Sequence, residues 1–257
     1  MIKIKKIIKY CFPIWLQEKL KVLIYGKNIK YFYDYYFSIE KRKLIIQVGA
    51  NDGVSSDPLC DYFKVNNNFH AILIEPHPFY VNKLKKMYKE RSNIQIEQVA
   101  CGDIKNIKDL YFIQPEIADE MNGDGPNNNW AHGQGSFDKN IIIHHINQNK
   151  FRGKDYVKNI PNYINAIQSI ETKIIRLMDL NLDDLNFDNF LLVIDVQGFE
   201  IEVLKGIDWR RPPRFIVFED DLNNGKLIHN YLISKEYKFV LGNLDKLYCK
   251  KEDYINF

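Results

Sequence analysis

The sequence predicts an α/β fold in which helices cover both faces of a mostly parallel β-sheet. Short apolar segments alternate along the chain with segments whose apolar residues recur at helical spacing, a pattern typical of parallel strands joined by helices. Near the C-terminus, apolar segments at 237–241 and 247–249 flank a turn, which predicts an antiparallel hairpin at one edge of the sheet. The 257 residues are enough for one large domain.

The individual elements follow in chain order. The first strand, at 44–48, is a short apolar run that ends at a glycine, as buried parallel strands do. Further strands are predicted at 71–74, 94–99, 110–113, 191–194 and 215–218, with helices at 55–66, 78–89 and 199–204. The sequence shows neither an internal repeat nor a separate second domain.

Two segments stand outside this alternation. Residues 1–43 are predicted to form an N-terminal helical extension, with a short second helix at 31–37, and residues 44–257 form the main domain. Residues 114–169 interrupt the alternation of strands and helices and include a stretch rich in glycine and asparagine. We interpret this insertion as a lid over the active site, with a helix near 137–149.

Charge and cysteine content restrict the class of protein. A formal charge of +3 is small for a dedicated nucleic-acid binder, so no nucleic-acid partner is expected. The four cysteines form no CxxC pair, which favours reduced thiols in a cytoplasmic protein. The apolar run at 10–16 is too short to span a bilayer.

The basic N-terminal segment has two interpretations. One is a surface helix that packs on the main domain. The other is an amphipathic helix that contacts an anionic membrane, at its inner face, or a partner enzyme. The sequence predicts no oligomeric state.

The turn after the first strand is the first candidate for a ligand site. Gly49, Ala50, Asn51, Asp52 and Gly53 lead from the strand into a helix, and glycine allows a sharp turn and the close approach of a ligand. The helix N-terminus that follows offers unpaired N–H groups. Taken alone, the motif fits an ordinary strand-to-helix turn equally well.

Three further motifs follow strands at the same edge of the predicted sheet. Glu75 and Pro76 end the second strand, at the spacing where nucleotide-binding βαβ units place an acid for ribose hydroxyls. Ala100 and Cys101 are small and leave a slot for a flat adenine. Asp195 ends the most apolar strand and points into the crevice where such sheets bind ligands. Taken singly, each is also explained by a plain turn or a loop carboxylate.

As an ordered set, these motifs resemble the FkbM-type methyltransferases. The resemblance implies a Rossmann-like class I methyltransferase fold, with a seven-stranded, mostly parallel sheet and an antiparallel C-terminal hairpin. It also implies S-adenosylmethionine as cofactor and methyl transfer to a hydroxyl of a sugar in a surface glycan or polysaccharide, or of a natural product. The matching segments are IIQVGANDG (45–53), ILIEPHPFYVNKL (72–84), QVACGD (98–103), WAHGQGSF (130–137), LLVIDVQGFEIEVLKG (191–206) and PRFIVFE (213–219).

The chain departs from this family at two positions. Gln47 stands where the family often has an acid near the methionine ammonium of the cofactor, although a glutamine oxygen still accepts a hydrogen bond. Gln197 stands where the family often has glutamate. Gln47 therefore remains a predicted cofactor-binding residue, and the partner of the ammonium is open.

A sugar hydroxyl is a poor nucleophile, so a general base or a metal ion is expected to assist. Asp195 is the first candidate for the base because it ends a strand near the expected cofactor. His132, on the predicted lid, is the second, although a lone loop histidine is often exposed and idle. Alternatively, Asp195, Glu219 and Asp220 bind Mg²⁺ between two strand ends, or simply rim the crevice.

Other functions fit the sequence less well. A nicotinamide dehydrogenase requires G-x-G-x-x-G after the first strand, which the chain lacks. A non-catalytic carbohydrate-binding protein would explain the aromatic residues but not the ordered strand-end motifs. A methyltransferase that acts on protein remains an alternative, whereas one that acts on nucleic acid is disfavoured by the low charge.

Overall fold

The computed structural model describes residues 29–55, 57–122, 130–220 and 224–254. The strands are β1 (Lys43–Val48), β2 (Phe69–Ile74), β3 (Ile94–Glu97), β4 (Ala100–Cys101), β5 (Asn106–Ile113), β6 (Gly135–Ser136), β7 (Ile167–Ile175), β8 (Asn189–Ile194), β9 (Phe215–Glu219), β10 (Tyr237–Gly242) and β11 (Asp245–Lys250). The helices are α1 (Ile29–Ser38), α2 (Cys60–Val65), α3 (Pro78–Met87), α4 (Pro115–Asn122), α5 (Lys139–Gln148), α6 (Lys154–Asn165), α7 (Glu200–Lys205) and α8 (Gly225–Ser234).

The main sheet confirms the predicted fold class. Its seven strands lie in the order β10-β11-β9-β8-β1-β2-β3. The five strands from β9 to β3 run parallel, and β11 pairs antiparallel with both β9 and β10. This is the Rossmann-like α/β fold with a C-terminal hairpin that the sequence predicts. Every residue of β1 and β8 is buried, as expected for central strands covered on both faces.

The register of the parallel strands positions the site. Val48 at the end of β1 pairs with Ile74 of β2 on one side and with Ile194 of β8 on the other. Ile194 pairs in turn with Phe218 of β9. The residues that follow these strands therefore emerge at one level, on either side of the point where the strand order reverses, which is where such sheets bind ligands.

The predicted helix at 55–66 is shorter in the structure, where α2 begins only at Cys60. The carboxylate of Asp52 accepts hydrogen bonds from the backbone N–H groups of Val54 and Ser55, at 3.0 and 2.7 Å. Side-chain capture of the backbone in this way competes with helix formation. The residues before α2 are thus a turn that borders the site.

A second sheet, of four strands in the order β4-β7-β5-β6, stands beside the main one. The strand predicted at 110–113 is part of β5 and belongs to this sheet. β7 was not predicted, because half of its sequence, IQSIETKII, is polar or charged and its exposed positions do not alternate regularly with buried ones. β5 and β7 pair antiparallel along their length.

The described part of the segment predicted as a lid, 114–169, contains three α-helices, and the helix predicted near 137–149 is α5. The described part of this segment has a hydrophobic cluster of its own. Its buried members are Ile113, Ala118, Met121, Ala131, Ile142, Ile146, Tyr156, Ile160, Tyr163 and Ile167. The described part is therefore a packed layer on the second sheet rather than an irregular loop.

Helix α1, in the predicted N-terminal extension, completes one face of the main sheet. Phe32, Tyr33 and Tyr36 are buried, and the Phe32 ring lies 5.2 Å from that of Phe215 on β9. The Tyr36 hydroxyl donates a 3.1 Å hydrogen bond to the carbonyl of Asn189 at the start of β8. This helix is part of the core that supports the central strands.

Several predictions concern residues outside the described ranges. The first predicted helix and its membrane or partner-enzyme contact lie in residues 1–28, so they stay predictions. Within the described ranges, no helix has the length and apolar character that crossing a bilayer requires. Cys60, Cys101 and Cys249 are buried free thiols, and the cytoplasmic location also stays a prediction.

We predict that Phe32→Ala lowers the free energy of unfolding by about 3–5 kcal/mol, because it leaves a cavity between α1 and β9. Denaturant unfolding followed by circular dichroism measures the change. Phe151→Ala is the matched control, since that phenylalanine is 79% exposed, and it is expected to change stability by less than about 0.5 kcal/mol. Equal effects of the two substitutions would show that α1 is not part of the cooperative core.

Candidate functional site

The carboxyl ends of the central strands open into a cavity of about 510 Å³. The predicted site residues that line it are Gln47, Gly49, Ala50, Asn51, Glu75, Pro76, Ala100, Cys101, His132, Asp195 and Glu219. Asp52, Gly53 and Asp220, which were also predicted, do not line it. Asp52 instead stabilises the turn, where its carboxylate accepts hydrogen bonds from the backbone and hydroxyl of Ser55.

The glycine turn holds the chain against two neighbouring strands. Gly49 has a φ of +84°, and a Cβ there would lie 1.7 Å from the carbonyl oxygen of Asp195. The N–H groups of Gly49 and Ala50 both donate to the carbonyl of Ile74, at 2.9 and 3.1 Å. Glycine is required here by its left-handed conformation, as the motif suggested, and by the close approach of the Asp195 carbonyl rather than of a ligand.

Glu75 is buried at the end of β2, and both of its carboxylate oxygens are held. One oxygen accepts the backbone N–H of Asn51 at 2.9 Å, and the other accepts that of His77 at 2.8 Å. Burial raises the pKa of Glu75 to about 7, although these two hydrogen bonds act in the opposite direction. Each oxygen keeps a lone pair, so the fixed carboxylate can accept from a pair of neighbouring hydroxyls.

Small and aromatic residues line the cavity together with Glu75. Ala100 and Cys101 are buried in its wall, and burial raises the pKa of the Cys101 thiol well above its usual range. The ring of His77 packs edge-on against Phe112, with centroids 4.2 Å apart, and burial lowers its pKa to about 4. His77 Nδ1 accepts the N–H of Phe79, so the neutral ring carries its hydrogen on Nε2.

Gln47 lies near the end of β1, at a position where the family often has an acid. The carboxylate of Asp57, in the turn before α2, contacts it there. Gln47 Nε2 donates to Oδ1 of Asp57 at 3.3 Å, while Gln47 Oε1 is buried without a hydrogen-bond partner among the described residues. Burial raises the pKa of Asp57 to about 6. Sequence analysis missed Asp57 because it placed this residue inside a helix. The Pro58 that follows is a signal that the helix begins later.

Gln197 connects two of the predicted acids. Its backbone is left-handed, with a φ of +51°, and its Nε2 donates to Asp195 Oδ1 at 2.8 Å and to Glu219 Oε2 at 2.9 Å. The side-chain amide thus provides N–H donors between the two carboxylates. Its own Oε1 is buried and has no hydrogen-bond partner in the described part of the chain.

The predicted Mg²⁺ site does not form. Asp220 is largely buried, faces away from the cavity and pairs with Lys246. Among the described residues, no three His, Cys, Asp or Glu side chains are grouped so that they could hold a metal ion. The physical reason is that the acids are already paired with protein donors, Asp195 and Glu219 with the amide of Gln197 and Asp220 with an ammonium.

His132 is buried and fixed rather than exposed. Its Nε2 lies 2.8 Å from a carboxylate oxygen of Asp119, and its Nδ1 lies 3.1 Å from the hydroxyl of Tyr80. Because a carboxylate only accepts, Nε2 carries the hydrogen, and Nδ1 accepts the Tyr80 hydroxyl. Tyr80, which lines the cavity from the first turn of α3, was not singled out from the sequence.

The segment around His132 is joined to both turns of the site. The side-chain amide of Asn51 donates to the carbonyl of His132 at 3.3 Å. The hydroxyl of Ser136 donates to the carbonyl of Gln197 at 2.8 Å. The part of the predicted lid at 130–136 therefore covers the cavity between the turns that follow β1 and β8.

Comparison with known proteins identifies a family similarity. The model of a family described as "Methyltransferase FkbM domain" matches residues 47–241, which span the site and most of both sheets. No curated protein is significantly similar in sequence to the chain.

Similar folds occur among solved structures of methyltransferases. One is precorrin-6y C5,15-methyltransferase from Geobacter metallireducens GS-15, with 10% identity, a TM-score of 0.42 and coverage of 86% of this chain and 88% of that one. A second is a methyltransferase from Geobacter sulfurreducens, with 10% identity, a TM-score of 0.38 and coverage of 97% and 95%. A third is ribosomal protein L11 methylase from Lactobacillus delbrueckii subsp. bulgaricus, with 6% identity, a TM-score of 0.37 and coverage of 86% and 77%.

We predict that Gly49→Ala lowers the free energy of unfolding by at least about 2 kcal/mol. The left-handed backbone alone disfavours alanine by about 1–2 kcal/mol, and the new methyl would collide with β8. Denaturant unfolding measures the loss. Gly135→Ala is the matched control, because no atom lies within 4 Å of a Cβ placed there. If both variants are as stable as the wild type, the turn does not have the close packing described here.

Proposed function

The chain belongs to the FkbM family of S-adenosylmethionine-dependent methyltransferases, and we propose that it transfers the methyl group to a hydroxyl of a sugar. The sugar would belong to a surface glycan or polysaccharide, or to a natural product. The observation that carries the proposal is the fixed carboxylate of Glu75. It follows β2 at the same level as the glycine turn that follows β1, beside the point where the order of the strands reverses. This is the arrangement with which parallel α/β sheets bind a nucleoside.

The residues of the cavity fit this cofactor. Glu75 can accept from both ribose hydroxyls, and the small and aromatic residues that line the cavity with it suit an adenine. Glycine at position 49 lets the turn pack closely against the residue that follows β8, and both border the cavity. Buried oxygen acceptors without a partner, including Gln47 Oε1, suit the ammonium of the methionine end. When bound, S-adenosylmethionine supplies an electrophilic methyl group attached to a positively charged sulfur.

Two groups in the cavity are candidates for the base that takes the proton from the acceptor hydroxyl. Asp195 faces the cavity, and its Oδ1 is held by Gln197. The alternative is His132, which would take the proton through Tyr80. The Tyr80 hydroxyl would accept from the acceptor and pass its own hydrogen to His132 Nδ1. Asp119 would then stabilise the charged imidazole.

Two residues of the cavity wall suit a polar acceptor. Trp130 and Gln134 line the cavity, and the indole Nε1 of Trp130 is buried without a hydrogen-bond partner among the described residues. An aromatic ring that carries a polar donor contacts both the apolar face and the hydroxyls of a sugar. This combination supports a hydroxyl-rich acceptor over an apolar one.

The function is tested in two steps. Isothermal titration with S-adenosylmethionine examines cofactor binding, and no binding at millimolar concentration would overturn the proposal. A screen of nucleotide sugars and surface polysaccharides, detected by formation of S-adenosylhomocysteine, then identifies the acceptor. Turnover with a protein or a nucleic acid, and with none of the sugars, would replace the sugar assignment by one of the alternatives.

We predict that Glu75→Gln weakens S-adenosylmethionine binding by about 10- to 100-fold, measured by isothermal titration. In the variant, an amide nitrogen replaces one carboxylate oxygen and cannot accept the hydrogen bond of the backbone N–H that it faces. The negative charge is lost as well, and a hydrogen bond to a charged group contributes about 1.5–3 kcal/mol. Glu97→Gln is the matched control. Glu97 also ends a strand at this edge of the sheet, but it does not line the cavity. The affinity of the Glu97→Gln variant for S-adenosylmethionine is therefore expected to equal that of the wild type.

The contact between Glu75 and the cofactor predicts that the affinity for S-adenosylmethionine depends on pH. Because the pKa of Glu75 is about 7 in the free protein, its ionised fraction falls as the pH falls below that value. Cofactor affinity is therefore expected to drop between pH 8 and 6, and Glu75→Gln should remove most of the change above pH 6. A wild-type affinity that is constant over this range would contradict ionised Glu75 as the ribose acceptor.

The two candidate bases are separated by His132→Asn and Asp195→Asn. We predict that replacing the true base lowers kcat by about 10²- to 10⁴-fold, because proton transfer contributes that much to the rate. Steady-state kinetics with an acceptor from the screen measures this. His144→Asn is the matched control, since His144 is exposed on α5. If neither variant slows turnover, then neither residue is the base.

A further inference from the structure

We propose that Asp57, together with Gln47 and Tyr33, binds the ammonium group of the cofactor and replaces the acid that is absent at position 47. The inference rests on the proposed function, because it concerns one end of the same cavity. It identifies a binding residue, Asp57, that lies ten positions from the expected one.

The geometry of Asp57 leaves one oxygen available. Its Oδ1 accepts both the backbone N–H of Leu59, at 2.8 Å, and Nε2 of Gln47, at 3.3 Å. Its Oδ2 is buried and has no hydrogen-bond partner among the described residues. Two donors on the same oxygen hold the carboxylate in place and leave the second oxygen to accept from a ligand.

Two further buried oxygens belong to residues that line the same cavity as Asp57. Gln47 Oε1 and the Tyr33 hydroxyl both line it, and neither has a hydrogen-bond partner in the described ranges. Gln47 and Tyr33 are 5% and 1% exposed, so these oxygens are largely shielded from bulk solvent. With Asp57 Oδ2 they provide three acceptors, which matches the three donors of an ammonium group.

The charge of the cavity favours a cation. Five acids line it, namely Asp57, Glu75, Asp195, Glu219 and Asp245, whereas no lysine or arginine does among the described residues. The pKa of Asp57 is raised to about 6 mainly by burial, with a contribution from the charges of Asp52 and Asp195. Burial and the charges of Asp245 and Asp57 also raise the pKa of Tyr33. An ammonium ion placed here would offset this excess of negative charge.

The fold brings these three residues to one cavity from a helix, a strand and a turn. Gln47 is on β1, Tyr33 comes from α1 on one face of the sheet, and Asp57 lies in the turn before α2. The early turn bound by Asp52 delays the start of α2 and leaves Asp57 in this turn. The chain thus has glutamine instead of an acid at position 47, and a neighbouring acid, Asp57, which the side-chain amide of Gln47 helps to orient.

The test uses two probes that differ only at the methionine end. S-adenosylhomocysteine carries the ammonium and carboxylate, whereas 5′-methylthioadenosine has the same nucleoside and a sulfur without them. Titration calorimetry of the full chain measures both affinities. We expect Asp57→Asn to weaken S-adenosylhomocysteine binding by about 10- to 100-fold, as for the loss of a hydrogen bond to a charged group, and 5′-methylthioadenosine binding by less than about twofold.

Two further variants keep the test decisive. Tyr33→Phe removes only the hydroxyl and is expected to weaken S-adenosylhomocysteine binding by about three- to tenfold. Gln47→Glu, added to Asp57→Asn, returns a carboxylate beside the same acceptors and should restore most of the lost affinity. Asp61→Asn is the matched control, because Asp61 lies on α2 with its side chain 95% exposed. Thermal unfolding verifies that each variant is folded.

The outcomes separate this inference from the proposed function. If the wild type binds neither probe, the proposed function itself fails. If the wild type binds both and Asp57→Asn weakens both equally, Asp57 only supports the turn, and the inference is wrong. If Asp57→Asn changes neither affinity, the ammonium is bound elsewhere, and the inference is also wrong.

Discussion

The site depends on the close contact between the turn after β1 and the end of β8. The Gly49 backbone lies so near the carbonyl of Asp195 that a side chain cannot be placed between them. The same turn donates two hydrogen bonds to the end of β2. These contacts hold three strand ends in one register, and Glu75, Gly49 and Asp195 consequently surround a single cavity. Helix α1 contributes as well, because its aromatic residues cover the strands that carry the turn, and one of them, Tyr33, also lines the cavity.

The cavity combines several acids with few compensating charges. Keeping these acids charged in the free protein has a cost, because the pKa values of Glu75 and Asp57 are raised mainly by burial and further by the charges of neighbouring acids. A ligand with a positive sulfur and an ammonium reduces the cost when it binds. The excess of negative charge that destabilises the free site is therefore the same property that selects a cationic ligand.

Two glutamines, Gln47 and Gln197, follow one structural principle. Each stands where the family often has an acid, each donates its amide N–H to neighbouring carboxylates, and each has a buried oxygen without a partner among the described residues. An amide in place of a carboxylate removes one negative charge from a crowded group and fixes the acids that remain. At Gln197 the amide lies between two acids that could otherwise share a cation.

The sequence by itself determined the fold class, the order of most elements and the strand-end positions of Glu75 and Asp195. These follow from hydrophobic periodicity and from residues next to a glycine or proline, which are properties of short segments. Only the tertiary structure decided that β5 and β7 form a separate sheet, that His132 is buried between Asp119 and Tyr80, and that Asp57 reaches Gln47. Each of these depends on where side chains from different elements meet. The spacing of residues in a short segment does not predict such contacts, because hydrogen bonds between different elements depend on how the whole domain packs.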